Sequence, residues 1–360
     1  MKIAIFGAGQ LAMMMIEESA DLGHEFIVID PASRPPASKL SKHYMVEYND
    51  EKVLKFIASE CDIATIDFEN VNISALEYLE NHIKVSPPSN ALKICQDRLY
   101  EKRLFTELGI NVTEYHSVNS VKDIENIVSD SKSNYLLKSR RFGYDGKNQL
   151  KCDEEKELLN NLISKNDCII ERIVDFITEV SLICVRQDED TVFFYPLIEN
   201  FHKSGILRYS TFPYSNVLLQ KIAEKYATSL LNHFNYVGVL VIEFFVSKDG
   251  SLIANEMAPR VHNSGHWSIE GCSMSQFESH IRAITGQLTT FADDFKPSLM
   301  INILSKYPNR EKMDELGDHY VHSYDKEERN LRKIGHITKV ADHKKELLKD
   351  LKRYLDILDN

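Results

Sequence analysis

A parallel α/β sheet leading into an α+β region is the fold class that the sequence predicts, and three observations predict it. Residues 1–90 alternate short apolar strands with helical stretches, as in a parallel sheet covered by helices. Beyond Gly109, β-rich runs follow one another without intervening helices, which argues an antiparallel or mixed sheet with flanking helices. After about residue 290 the composition shifts to a short apolar segment and a highly charged end. Three units result: 1–90, 91–290 and 291–360. A chain of 360 residues at 43% hydrophobic is long enough for such a division, with a core in each large unit.

In the first unit, strands are expected at 2–6, 24–30, 43–47 and 62–67, with helices running to about Gly23, from Asp50 and from Ile73. Pro87-Pro88 breaks this pattern, and Ser89 opens a helix over "NALKICQDRLYEKRLFTELG" that stops at Gly109. The second unit offers strands at 134–140, 167–176, 179–186, 191–200 and 237–247. The third begins with "SLMINILS" and ends in an amphipathic helix. Its apolar side carries Leu347, Leu348, Leu351, Tyr354, Leu355 and Leu358 and is expected to pack on a core, since the polar side mixes Lys with Asp and Glu.

The net charge of −11 argues against a general nucleic-acid-coating surface while allowing a local basic pocket for a phosphorylated small molecule. No apolar run reaches the ~18 residues of a membrane span, and the chain starts on a strand, so a cytoplasmic protein is expected. The six cysteines form no C-x-x-C pair, which disfavours a zinc site or a disulfide framework.

The opening stretch "IAIFGAGQLAMMM" holds Gly7-x-Gly9-x-x-Ala12 between a strand and a helix, and a second strand ends in Asp30. That is the dinucleotide fingerprint: glycines for a tight turn, a helix N-terminus for pyrophosphate, an acid for a ribose hydroxyl. The same turn also opens α/β domains that bind no dinucleotide, so an NAD-dependent oxidoreductase is one candidate among several.

Stronger chemistry lies further on. "LLKSRRFGYDGKNQ" sets Lys138 at the end of an apolar strand, followed by a loop with Arg140, Arg141, Gly143, Gly146 and Lys147. Glycine-exposed amides backed by a strand-borne cation suit a nucleoside triphosphate, although no Walker A sequence is present; a basic surface hairpin is the alternative. Glu243 lies in "LVIEFF" and Glu256 in "LIANEMAPR", thirteen positions later across a turn at "KDG". Strands joined in this way can lay the two carboxylates side by side, where they would suit Mg²⁺ bridging phosphates. The alternative is that each carboxylate is neutralised by a Lys or Arg.

With these pieces in place the chain resembles the ATP-grasp superfamily and, within it, the 5-(carboxyamino)imidazole ribonucleotide synthetases of purine biosynthesis. The matching segments run nearly end to end: "GAGQL", "FENV", "QDRLYEK", K-x-R-R-x-G-Y-D-G-K-x-Q, "YPLIEN", the run 255–286 and "RKIGH". The resemblance implies an ATP-grasp fold with an N-terminal doubly wound domain, a two-lobed central domain and a small β-rich C-terminal domain. It also implies the reaction of ATP, bicarbonate and aminoimidazole ribonucleotide to give the N-carboxylated ribonucleotide, ADP and phosphate, in a homodimer.

By position, the resemblance puts ATP against Arg98, Lys138, Gly143, Tyr144, Asp145, Gly146, Lys147 and Gln149. Glu171, Arg172, Ile173, Val174 and Glu179 would hold adenine and ribose, with His202, Asn255 and Glu256 completing the nucleotide site and Glu243 and Glu256 on Mg²⁺. Tyr144, Asp145, Arg260, His262 and His266 would surround the carboxylation step, with the general base left open between aspartate and histidine. Gln10, Leu11, Glu69 and Asn70 would contact the ribonucleotide, and Lys326 and Arg332 its 5′-phosphate.

The chain departs from the family pattern at Ala12-Met13 (usually Gly-Arg), Asp67 (Glu), Phe142 (Gly) and Val261 (Pro), and its tail after about 340 matches no segment of the pattern. Another ATP-grasp ligase or a formate-dependent transformylase would share the phosphate site but lack "HNSGHW". A non-catalytic ATP-binding regulator is disfavoured because both candidate metal carboxylates are retained.

Overall fold

The computed structural model describes residues 1–128, 134–143 and 148–358. Strands β1 (Lys2–Phe6), β2 (Glu25–Ile29), β3 (Lys42–Tyr44), β4 (Ile63–Ile66) and β5 (Lys84–Val85) form a parallel sheet in the order β3-β2-β1-β4-β5. Helices α1 (Gln10–Glu18), α2 (Glu51–Glu60) and α3 (Ile73–Glu80) form its crossovers. The central strands β1, β2 and β4 are apolar at nearly every position because both faces are covered.

The single helix expected after Pro88 is two: α4 (Ser89–Cys95) and α5 (Arg98–Glu107). Asp97 separates them, its side chain accepting the amide of Leu99 at 3.1 Å as an N-cap.

Strands β6 (Tyr115–Val118), β7 (Tyr135–Ser139), β8 (Gln149–Lys151) and β9 (Cys168–Arg172) form a small antiparallel sheet ordered β6-β9-β7-β8. Helices α6 (Val121–Val128) and α7 (Lys156–Lys165) bury Ile124, Val128 and Leu159 against it.

The strand read over 167–176 ends at Arg172. After a short connection the chain enters β10 (Phe176–Arg186) of a nine-stranded sheet. The run 191–200 also divides, into β11 (Val192–Phe194) and β12 (Ile198–Lys203), with Pro196 between them unable to donate to a ladder.

Strand β13 (Ile206–Phe212), helix α8 (Val217–Phe234), strands β14 (Gly238–Ser247) and β15 (Leu252–Ala258), and helices α9 (Ser268–Gly271) and α10 (Gln276–Thr285) complete this lobe. The C-terminal elements are β16 (Ser298–Ser305), α11 (Arg310–Asp314), β17 (Tyr320–Ser323), β18 (Arg329–Val340) and α12 (Lys344–Leu358). Their strands extend the central sheet, β16 pairing with β13, in the order β15-β14-β10-β12-β13-β16-β18-β17. Of the apolar side expected for α12, Leu347, Tyr354 and Leu358 are buried and Leu351 and Leu355 pack beside them. Leu348 is instead 49% exposed, because its direction leaves the contact stripe.

One apolar cluster joins the first and second units. Met13, Met14 and Ile16 of α1 meet Phe277, Ile281 and Ile284 of α10, while α1 also covers Ile3 and Ile5 of β1. This two-sided burial explains a helix with no polar face from Leu11 to Ile16, and it fixes the N-terminal sheet beside β14.

Candidate functional site

At the C-terminal ends of β1 and β4, a cleft of about 560 Å³ opens between the parallel sheet, α5 and the β14–β15 hairpin. Strand ends at such a crevice are the usual place for a ligand in an open parallel sheet. Gln10, Leu11, Glu69, Asn70, Arg98, Gly143, Glu243, Glu256, Arg260, His262 and Lys326 all line it, side chains that the sequence singled out from segments spread across 316 residues.

Glu243 and Glu256 are opposed residues of β14 and β15. A bulge follows, in which Ala254 opposes Phe244 and Asn255 is the extra residue, so that Glu256 comes level with Glu243. The Glu256 carboxylate accepts Arg98 Nη1 at 3.0 Å, and Glu243 lies 3.4 Å from His262 Nε2. Burial pushes both carboxyls up; at Glu256 the Arg98 guanidinium and the nearby lysines outweigh it, whereas Glu243 remains raised, opposed by Glu256 and Glu179. Two facing carboxylates, one kept raised by burial and by its negative neighbours although His202 and Lys333 oppose them, fit a hard divalent cation that also takes phosphate oxygens. Among the described residues no group of three or more His, Cys, Asp or Glu converges as a self-contained metal cage.

Behind the cleft, Lys138 on β7 donates to Glu171 on β9 at 2.8 Å, and Lys102 on α5 lies 3.8 Å from the same oxygen. Glu171 is held down at about 2 because these cations outweigh its burial. Lys102 also donates to the carbonyl of Asn255 at 2.9 Å, tying the two lobes together beside the carboxylate pair. Gln149 is paired with Lys138 across β7 and β8. Arg172 and Ile173 are exposed, and with Val174 they occupy the connection between the lobes. His202 contacts Glu179 through Nδ1; burial lowers its basicity, but Glu179 and Glu243 raise it further.

Tyr144, Asp145, Gly146 and Lys147 lie outside the described residues. Phe142 precedes them with φ of +59° and 67% exposure, a conformation that suits the glycine usual in the family pattern.

His262 Nδ1 accepts the amide of Ser264 at 3.3 Å, so its ring proton sits on Nε2, toward Glu243. Arg260 pairs with Glu69 at 2.9 Å. His266 does not line the cleft: it is fully buried, with its ring against Phe277, Tyr324 and His336. Lys326 donates to the side-chain Oε1 of Gln10 across the cleft, and burial brings its ammonium down to about 8. Arg332, half-buried, donates to the Glu327 carbonyl at 3.3 Å and does not line the cleft; Lys333 beside it does.

Sequence reasoning passed over Lys333, Lys102 and Glu101, the last accepting the amide of Met257 at 2.7 Å. Lys102 and Glu101 were legible in "QDRLYEK" only as charged residues of a helix; their burial is a tertiary fact.

The glycine turn is filled from within. Asp67 Oδ2 accepts the amides of Gly9 at 2.6 Å and Ala12 at 3.3 Å, and Asp30 accepts that of Ala8 at 3.0 Å. The donors that would cradle a pyrophosphate are occupied by the protein's own carboxylates, which removes the ground for an NAD-dependent oxidoreductase.

The chain is 38% identical over 340 residues to an N5-carboxyaminoimidazole ribonucleotide synthase of Pseudomonas aeruginosa, covering 94% of each chain. It is 39% identical to one of Brucella melitensis, covering 94% of this chain and 96% of the other. The chain belongs to the N5-carboxyaminoimidazole ribonucleotide synthase family. Family models match along its length: a ribonucleotide synthetase preATP-grasp domain over 1–96, an ATP-grasp domain over 103–277, and a phosphoribosylaminoimidazole carboxylase C-terminal domain over 298–350.

The synthetase crystal structure from Thermus thermophilus superposes with a TM-score of 0.92 at 37% identity, over 99% of both chains. That from Aspergillus clavatus, in complex with ADP and 5-aminoimidazole ribonucleotide, superposes with a TM-score of 0.89 at 26% identity, over 99% of this chain and 98% of the other. The ATP-grasp fold with its preATP-grasp and C-terminal domains is therefore established for a ligase of this family.

Proposed function

We propose that this synthase carboxylates the exocyclic amine of 5-aminoimidazole ribonucleotide with bicarbonate, hydrolysing ATP to ADP and phosphate in purine biosynthesis. The observation that carries this reading is the single cleft in which Glu243, Glu256 and Arg98 face Gln10, Glu69 and Lys326. A phosphoryl-transfer end and a cationic, polar end share one space.

ATP lies between the lobes, its phosphates toward Lys138, Arg98 and the loop after Gly143, and its base toward the Glu171–Val174 connection and Glu179. Glu243 and Glu256 would hold Mg²⁺, which when bound would supply positive charge to the phosphates. Arg98 holds Glu256 ionised, and His262 directs Nε2–H at Glu243, so both carboxylates are oriented before the nucleotide arrives. Bicarbonate is a weak electrophile, and its phosphorylation supplies the activation that carboxylation of a weakly basic amine requires. The ribonucleotide sits over Gln10, Leu11, Glu69 and Asn70, with Lys326 and the neighbouring Arg332 toward its phosphate. Holding both reactants in one cleft brings the activated carboxyl group to the amine before water hydrolyses it.

With its Nδ1 lone pair held by Ser264, His262 is an orienting group, and Asp145 is left as the candidate proton acceptor. None of the six cysteines forms a disulfide, which suits the reducing cytoplasm, and a homodimer is what the family resemblance implies.

ADP release tests the reading. It should require bicarbonate and be stimulated by aminoimidazole ribonucleotide. Stimulation by formate in place of bicarbonate would point to the transformylase alternative.

A further inference from the structure

The N-terminal sheet and the ATP-grasp lobe meet over an apolar cluster, and beside it His280 of α10 is buried with no solvent exposure. Its two ring nitrogens face different domains. Nδ1 lies 3.0 Å from the amide of Val239, the second residue of β14, and Nε2 lies 2.9 Å from Thr65 Oγ1 in β4. A backbone N–H can only donate, so Nδ1 is the acceptor and the ring proton sits on Nε2, where it donates to Thr65.

The surroundings are built for this ring. Gly238 has φ of +106°, and a Cβ there would fall 2.8 Å from His280 Cε1, so only glycine admits the imidazole. Other polar links between this region and the N-terminal domain, His24 to Gln287 and Lys84 to the Ile284 carbonyl, involve exposed or half-buried groups. Apolar packing alone is tolerant of sliding, whereas a ring bonded at both ends admits one relative placement.

Both anchored strands lead into the cleft. Two residues past Thr65, Asp67 closes the glycine turn, and Glu69 follows to hold Arg260. Four residues past Val239, Glu243 faces Glu256.

We propose that His280 is a positioning residue: by bridging Thr65 and Val239 it fixes the ribonucleotide side of the cleft against the strand that carries the phosphoryl-transfer carboxylate. This role rests on the reading above that the ribonucleotide lies against the N-terminal sheet. Its loss should weaken ribonucleotide capture, because that ligand touches both domains, and leave ATP, held within the ATP-grasp lobes, almost unaffected.

Thr65→Val and His280→Asn each break the Thr65 link, the second retaining an acceptor for Val239. Each should raise the KM for aminoimidazole ribonucleotide about tenfold, with the KM for ATP within about twofold of the unaltered enzyme. The double variant should lose little more than either single one, and Thr65→Ser, which keeps the hydroxyl, should restore the unaltered KM. If Thr65→Val does not fold, His280→Asn is read alone. Unchanged ribonucleotide KM in a variant with an intact melting transition, or equal losses for both substrates, would overturn the role. Absence of ribonucleotide-stimulated ADP release in the unaltered enzyme would remove the function itself, and it would be seen before any substitution is made.

Discussion

A Cβ on Gly7 would fall 1.6 Å from Asp67 Oδ1. The glycine turn at the head of the chain is therefore shaped around a carboxylate at the end of the neighbouring strand β4, and its φ of +98° at Gly7 adds a backbone conformation that side-chain-bearing residues avoid. Gly7→Ala should cost about 3 kcal/mol or more, whereas Gly23→Ala, also at positive φ but with nothing near, should cost only about 1 kcal/mol. Thermal melts of the two variants make the comparison; equal losses would mean that the Asp67 contact matters little.

On the proposed reading, Glu243 and Glu256 at the far side of the cleft serve phosphoryl transfer. Glu256→Gln removes charge from the phosphoryl-transfer site and leaves Arg98 without its partner, so turnover should fall about a thousandfold with the melting temperature nearly retained. Near-normal turnover with unchanged magnesium dependence would contradict the assignment of Glu243 and Glu256 to the metal.

Lys326 reaches Gln10, while Arg332 is bonded to a carbonyl of its own turn. Lys326→Met should therefore raise the ribonucleotide KM by about tenfold to a hundredfold, more than Arg332→Ala does, and neither should alter the KM for ATP. The reverse order of effects would place Arg332 closer to the phosphate than its contacts here indicate.

Burial brings the His280 imidazole down to about 4. Unfolded chains protonate histidine near 6.5, so this group's contribution is fully present above that pH and is lost as the pH falls toward 4, by about 3 kcal/mol in all. Denaturant unfolding of the unaltered enzyme should weaken over that window, and His280→Asn should flatten the slope. An identical acid slope in the variant would assign the acid sensitivity to other groups.

Much of this site was legible in the sequence because its residue types are costly where they stand. A glutamate inside "LVIEFF" demands a cation, and a lysine ending "NYLLK" demands an anion. The hairpin turn at "KDG" set Glu243 opposite Glu256, leaving only the bulge at Asn255 unforeseen. The strand–turn–helix at Gly7 was legible as a structure, but no local pattern reveals that Asp67 returns to fill it. The resemblance picked out Arg332 from a run of cations, whereas Lys333 is the one that lines the cleft, a difference that only the course of β18 reveals. His266 was named with His262 on the resemblance alone; in the structure His262 approaches Glu243 while His266 is buried among aromatic rings.

Oxygen exchange between the reactants tests the central claim most directly. With bicarbonate labelled in its oxygens, the enzyme turning over ATP and aminoimidazole ribonucleotide should release phosphate carrying label, because phosphorylated bicarbonate leaves one of its own oxygens on phosphorus when the carboxyl group departs. Phosphate free of label under conditions where the carboxylated ribonucleotide accumulates would contradict activation of bicarbonate in this cleft.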